Sequence, residues 1–290
     1  MARRRAYAVW VQTGDGVRIR LSIWPEGERG TVLLFPGRSE YVEKYGRAAE
    51  DLRARGYATI TIDWRGQGLD DHALSDTMTD HVGDFDEYQR DVDAMLATRA
   101  TLGMPEPLFL LAHSIFLLAH SMGGNVGLRS AMRGLDFRAV AFTAPIWGIP
   151  LGALMRPFAL AIARGACCLG QGHRYAPGTG PANYTTIAAF EGNSLTTDPD
   201  MWACVQEQVL RAPVLALGGP SLSWVAAALT ALGTAEQVVD PAPIHARMAD
   251  WTGGRLDLIE GAQHEVMMKT PATRARFFAE ACPLFDAQLG

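Results

Sequence analysis

The feature that most restricts the fold is a unit that recurs along the chain. A short apolar run rich in β-formers ends at a turn of small residues, and a stretch of helical character follows. Thr31–Phe35 (TVLLF) stops at Pro36-Gly37, and residues 42–55 then read as helix and end at Gly56. Residues 57–63 (YATITID) stop at Trp64-Arg65-Gly66-Gln67-Gly68. Residues 85–99 read as an amphipathic helix after Gly83-Asp84. A third run, from residue 108, leads into a helix from about Met122 to Met132, and residues 138–143 form a further strand. Residues 17–24 make an early strand. Strands of this length alternating with helices predict an α/β protein, with a mostly parallel, doubly wound sheet and helices on both faces.

The alternation fails between Pro145 and about Trp224. Gly, Pro, Trp and short apolar helices dominate there, as expected of a mainly helical cap inserted over the sheet. The expected organisation is therefore a core of residues 1–144 and 226–290, with a cap at 145–225. A length of 290 residues suits one large domain with such an insertion. Beyond the cap, residues 242–251 read as helix, 255–259 as strand and 270–289 as a closing helix. The region before Gly233 is short of a strand. Residues 225–232 (VAAALTAL) favour helix. The other reading makes residues 212–217 (APVLAL) the strand, followed by an unusually long loop.

Composition narrows the function. The chain is 48% hydrophobic and 20% charged, with a net charge of −5. Arg3-Arg4-Arg5 is its one basic cluster, at a terminus expected to fray, so nucleic-acid binding has no footprint. Residues 6–12 are too short and mixed for a signal peptide's apolar region. Residues 149–163 fall short of a membrane span and are interrupted by Arg156-Pro157. A cytoplasmic protein is expected. Cys167, Cys168, Cys204 and Cys282 show no metal spacing and are expected as buried free thiols. Neither a metal nor an organic cofactor is implied.

Residues 108–124 (LFLLAHSIFLLAHSMGG) state one motif twice. Each copy is an apolar run ending in His-Ser. Only the second fits a nucleophile elbow, a tight strand-to-helix turn whose flanks must be small. Ala119 and Gly123 flank Ser121, whereas Ile115 and Phe116 follow Ser114. Ser121 is therefore the candidate nucleophile, and the extra seven residues read as a tandem duplication without a function of their own. A serine needs a base. Of seven histidines, His264 follows the last strand in Gly261-Ala262-Gln263-His264-Glu265. His72, His81, His173 and His245 read as solvated loop histidines. The acid that would orient His264 is Glu236, with Asp240 as the alternative. Oxyanion donors are the Met122 N–H and, from the loop Pro36-Gly37-Arg38-Ser39-Glu40, the Arg38 N–H.

Together these segments resemble the α/β-hydrolases of the monoacylglycerol lipase and bacterial lysophospholipase type, which are grouped with serine aminopeptidase-like hydrolases. The residues that carry the resemblance are 35–41, Asp63 to Gly68, 119–124, 236–240 and 261–265. It implies the α/β-hydrolase fold and a Ser121–His264–Glu236 triad. It also implies a small-molecule acyl ester as substrate, a lysophospholipid or a monoacylglycerol, with the apolar run 149–163 lining an acyl channel. Peripheral membrane contact through the cap belongs to the same expectation. An aminopeptidase-like or small-ester hydrolase is the rival reading, as is an impaired chain that only binds acyl ligands. The sequence does not set the oligomeric state.

Overall fold

The computed structural model describes residues 6–105, 108–112, 122–135, 137–143, 145, 151, 154–231, 257, 265–287 and 289. Among them lies one six-stranded sheet. Its strands are β1 (Tyr7–Gln12), β2 (Arg18–Trp24), β3 (Thr31–Phe35), β4 (Ala58–Ile62), β5 (Leu108–Ala112) and β6 (Ala139–Phe142). The spatial order is β1-β2-β4-β3-β5-β6. β1 and β2 pair antiparallel, as do β2 and β4, and the remaining pairs are parallel. The helices are α1 (Gly46–Arg53), α2 (Glu87–Thr101), α3 (Met122–Met132), α4 (Met155–Cys168), α5 (Tyr184–Ile187), α6 (Pro199–Arg211), α7 (Leu222–Ala231) and α8 (Pro271–Asp286).

Burial on both faces explains why β3 reads as an unbroken apolar run. In β3, Leu33 and Phe35 join a core with Val92 and Met95 of α2 and Val126 of α3. Val32 and Leu34 point the other way, onto Ala48 and Leu52 of α1 and Phe277 and Phe278 of α8. The sheet is thus covered by helices on both sides, as expected. β1 was not foreseen as a strand. Its apolar residues alternate, with Tyr7, Val9 and Val11 packed inward and Trp10 left about half exposed. An edge strand of that kind carries only a half-buried signal.

The order of connections creates the crevice that matters. From β3 the chain passes through α1 to β4 on one side, then through α2 to β5 on the other side of β3. The loops after β3 and β5 therefore leave in opposite directions. Such a switch point is where open α/β sheets take their ligands.

Several expectations are refined. The helix placed at 42–55 begins as a 3-10 turn, Val42–Tyr45, before α1. The helix placed at 85–99 starts two residues later, because Glu87 accepts the N–H groups of Gly83 and Asp84 and holds the entry turn outside it. The first copy of the doubled motif forms β5, in register from Thr31↔Leu108 to Phe35↔Ala112, and α3 opens at Met122, directly after the second copy. Residues 212–217 are not a strand, since Pro213–Leu215 is a 3-10 turn. Residues 225–231 are helical within α7, which inserts Trp224, Ala227 and Ala228 into the core beside α2. Among the described residues between 145 and 231, helices and turns carry the backbone, with isolated bridges Asp80↔Pro220 and Tyr175↔Ser221. The expected helix at 242–251 and strand at 255–259 lie outside the described residues, Asp257 excepted. So do Arg3, Arg4 and Arg5.

Candidate active site

At the switch point the loop after β3 is held at nearly every polar group. The Gly37 N–H donates to Glu40 Oε2 and the Ser39 N–H to Gln67 Oε1 at 2.7 Å. The Pro36 carbonyl accepts from Trp64 Nε1 at 2.8 Å. Ser39 takes a left-handed conformation, φ 61°, which a lone non-glycine residue adopts only under such constraint. Between these anchored neighbours, the Arg38 N–H has no acceptor among the described residues. An immobilised loop presenting one unspent donor is the preorganisation that stabilises a developing oxyanion.

The Arg38 side chain does other work. Its Nε donates to Asp80 Oδ2 at 2.6 Å, its Nη2 donates to the Gly218 carbonyl, and the guanidinium lies 5.6 Å from the Trp224 ring centre. Burial pushes the Asp80 carboxyl upward, against the pull of Arg38. Arg38 thereby fastens the loop to the strip where Asp80 meets Pro220 and Ser221.

The second donor segment comes close. Met122 is the first residue of α3, so its N–H is among the four at a helix start that no intrahelical acceptor uses. A β-carbon at Gly123 would collide with the carbonyl oxygens of Phe35 and Pro36. That contact requires glycine and sets the start of α3 directly against the loop carrying Arg38. Gln67 bridges the two, because the amide that accepts from Ser39 also donates to Met122 Sδ at 3.6 Å.

The segment from Asp63 to Gly68 is scaffold. Asp63 is fully buried and accepts from Arg20 Nε at 2.8 Å, Val42 N at 2.8 Å and Leu69 N at 3.0 Å. Burial raises its pKa to about 6, with Arg20 pulling the other way. A β-carbon at Gly68, φ 58°, would strike that carboxylate. Arg65 gathers Asp15, Glu87 and Asp91, and burial holds Asp91 at about 6 despite the guanidinium.

A second buried set lies under the loop. Glu40, Lys44 and Glu265 are each almost fully enclosed. Lys44 Nζ donates to Glu40 Oε1 at 2.8 Å and to Glu265 Oε1 at 3.4 Å. Burial works against the Lys44 charge, but Glu265 and Glu40 outweigh it, and its pKa stands above the ordinary value. Sequence reasoning missed this cluster and Gln67 as functional parts. The available signal was a Glu–Lys pair four apart in a segment otherwise apolar enough to be buried, a spacing that normally marks an exposed helix face.

The triad proposed from sequence, Ser121, His264 and Glu236 with Asp240 as alternative acid, lies outside the described residues. Of the proposed site residues only Arg38 and Met122 are described, and the approach of Gly123 to the Phe35 and Pro36 carbonyls sets their two segments side by side. Two other expectations are corrected. His72 and His81 are half-buried rather than solvated, and burial lowers both pKa values; His81 Nδ1 sits 3.0 Å from Ser221 Oγ. Cys167 and Cys168 are exposed at the end of α4, Cys204 is half-buried, and Cys282 alone is buried as expected. No group of residues able to hold a metal ion occurs among the described residues.

This sheet order, with a glycine-tight strand-to-helix approach at its switch point, is that of an α/β-hydrolase. The chain belongs to the serine aminopeptidase (S33) family, whose model matches residues 26–271. It is 28% identical over 275 residues to lysophospholipase L2 of Escherichia coli K12, covering 84% of this chain and 76% of that protein. Over 125 residues it is 30% identical to the monoglyceride lipase of Saccharomyces cerevisiae, covering 41% of this chain and 37% of that one. A soluble variant of that yeast lipase, solved with a substrate analogue, superposes with a TM-score of 0.70 at 18% identity, over 99% of this chain and 97% of the other. A lipase in an open form gives 0.72 at 14% identity, over 98% and 99%.

Proposed function

We propose that the protein is a serine carboxylic-ester hydrolase that releases a fatty acid from a single-chain acyl ester, a lysophospholipid or a monoacylglycerol. The observation that carries this reading is the close approach of Gly123 to the Phe35 and Pro36 carbonyls, which supports pairing the Met122 N–H with the Arg38 N–H as oxyanion donors. The family and the named relatives supply the reaction class.

In this mechanism His264 removes the Ser121 proton as the oxygen attacks the ester carbonyl, and Glu236 orients and stabilises the imidazolium. The Met122 and Arg38 N–H groups receive the oxyanion. His264 then protonates the departing alcohol. Water, deprotonated by His264, cleaves the acyl-enzyme, and the fatty acid leaves with Ser121 regenerated.

Residues 145–225 act as a cap, and its helix α4 meets the lipid surface. Leu154, Phe158 and Ile162, four residues apart, are each more than 60% exposed, as is Leu169. The resemblance implied that such residues line an acyl channel, but on α4 only Ala163 is buried. Residues 137–190 contain four arginines and neither Asp nor Glu, in a chain of net charge −5. Apolar side chains flanked by cations suit an anionic bilayer surface. No helix among the described residues is long and apolar enough to cross a membrane.

The test is hydrolysis of short- and long-chain p-nitrophenyl esters by the protein and by Ser121→Ala. Activity should fall by about 10⁶-fold in the variant. A folded parent with no activity, or a variant that keeps it, overturns the reading.

A further inference from the structure

Glu40, Lys44 and Glu265 have no part in the chemistry just given, and burying three ionisable groups is costly unless pairing and hydrogen bonds offset it, as Lys44 between the two carboxylates does. What they touch at each end is informative. At one end, Glu40 Oε2 accepts from the Gly37 N–H and the Tyr45 hydroxyl. Gly37 immediately precedes Arg38. At the other end is Glu265, which immediately follows His264. The backbone there is also pinned, since the Glu265 N–H and Lys269 Nζ both donate to the Leu195 carbonyl, at 3.2 and 3.0 Å. Thr196 Oγ1 donates to the Met268 carbonyl at 2.5 Å. Lys44 spans the gap, with one carboxylate on either side.

We propose that Lys44, clamped between Glu40 and Glu265, is a positioning residue that fixes the distance from the oxyanion loop to the loop bearing His264. The inference rests on the roles given above to Arg38 and His264. A rigid link of this kind acts on geometry at the transition state, and a displacement of an ångström there costs about 10²-fold in rate. It also makes the site sensitive to the cluster's protonation. Glu265 is pushed up to about 7 by burial and by the charge of Glu40, against the pull of Lys44. The groups that face it are Glu40, Lys44, Tyr41 and Tyr45 from the loop and first turn after β3, and Lys269 from the turn before α8.

The test uses the full chain with Lys44→Met, Glu265→Gln and the double variant, read by circular dichroism, fluorophosphonate labelling and kcat and KM on a short-chain ester. Each single variant should lose about 10- to 100-fold in kcat with KM within about threefold. The double variant should lose no more than the worse single one, because one link is broken once. Glu265→Gln should also move the acid limb of the kcat/KM profile. A purely structural cluster would lower the melting temperature and leave kcat and the limb unmoved, which overturns the proposal, as do additive losses. If Lys44→Met does not fold, Glu265→Gln, equal in shape, decides the matter by its kcat and its pH limb. Failure of the underlying mechanism shows separately, as a parent protein whose Ser121 does not label.

Discussion

Between pH 5 and 8, the titration of Glu265, coupled to Lys44, Glu40 and Lys269 beside it, is addressed by one isosteric substitution. The ordinary value of Glu265 is 4.5, and the folded protein holds it near 7, so folding binds a proton over that interval. For a carboxyl raised in this way the favourable contribution is complete below the unfolded value and disappears as pH rises through the folded one. The protein should therefore gain stability relative to Glu265→Gln as pH falls from 8 to 5, by up to about 3 kcal/mol for a shift of this size. Asp63 and Asp91, both near 6, and the half-buried His72 and His81, shifted the other way, are common to both proteins and cancel. Chemical denaturation of the pair at four pH values checks this, and a constant difference, or one growing toward pH 8, refutes it. The same scale shows how much chemistry rests on residues with no side chain to offer. Gly123 and Gly68 are required because a carbonyl pair and a carboxylate occupy the space of their missing β-carbons.

At the scale of elements, the doubled motif is divided between two structures: the first copy supplies β5 and the second leads into α3. β5 already reaches Ala112 opposite Phe35, the last residue of β3. A deletion of residues 113–119 would join Ala112 to His120 and leave a single Leu-Ala-His-Ser-Met-Gly-Gly passage from strand to helix. That variant should keep kcat on short esters within about threefold and melt higher, at about 2–4 °C per kcal/mol for a domain of this size. Calorimetry and the ester assay test it, and an inert or insoluble variant would mean that residues 113–119 are needed for the working turn. β3 and β4 were legible in sequence to within a residue or two because apolar runs buried on both faces are bounded by Gly, Pro or Asp, and the half-buried β6 was legible from its apolar run alone. β1 was not, since an edge strand buries one face only. The start of α3 at Met122 was legible from the small residues around it, whereas the elbow serine itself lies outside the described residues. Glu40, Lys44 and Gln67 were not, because their partners lie across the fold and no local pattern records that.

At the scale of the whole molecule, α4 is the element that meets the surroundings with large apolar side chains. The helix packs one side toward α7, Arg164 Nη2 donating to Thr230 Oγ1 at 3.1 Å, and turns its large apolar residues to solvent. Leaving Leu154, Phe158 and Ile162 in water is unfavourable, and inserting them into a bilayer surface recovers about 1.5–3 kcal/mol for each side chain fully buried. The exposed Arg174 adds about 1 kcal/mol near an anionic surface, a contribution screened by salt. Substituting Phe158→Ser and Ile162→Ser together removes the apolar contribution while leaving the sheet, the loop after β3 and the Glu40–Lys44–Glu265 cluster untouched. The double variant should bind vesicles of mixed phosphatidylcholine and phosphatidylglycerol at least about tenfold more weakly in sedimentation. Its activity on long-chain ester presented in those vesicles should fall in proportion, while kcat and KM on a dissolved short-chain ester stay within about twofold. Binding of the parent should weaken as salt rises. Equal loss on both substrates would place Phe158 and Ile162 inside the acyl site instead, and unchanged vesicle binding would remove α4 as the membrane-facing surface.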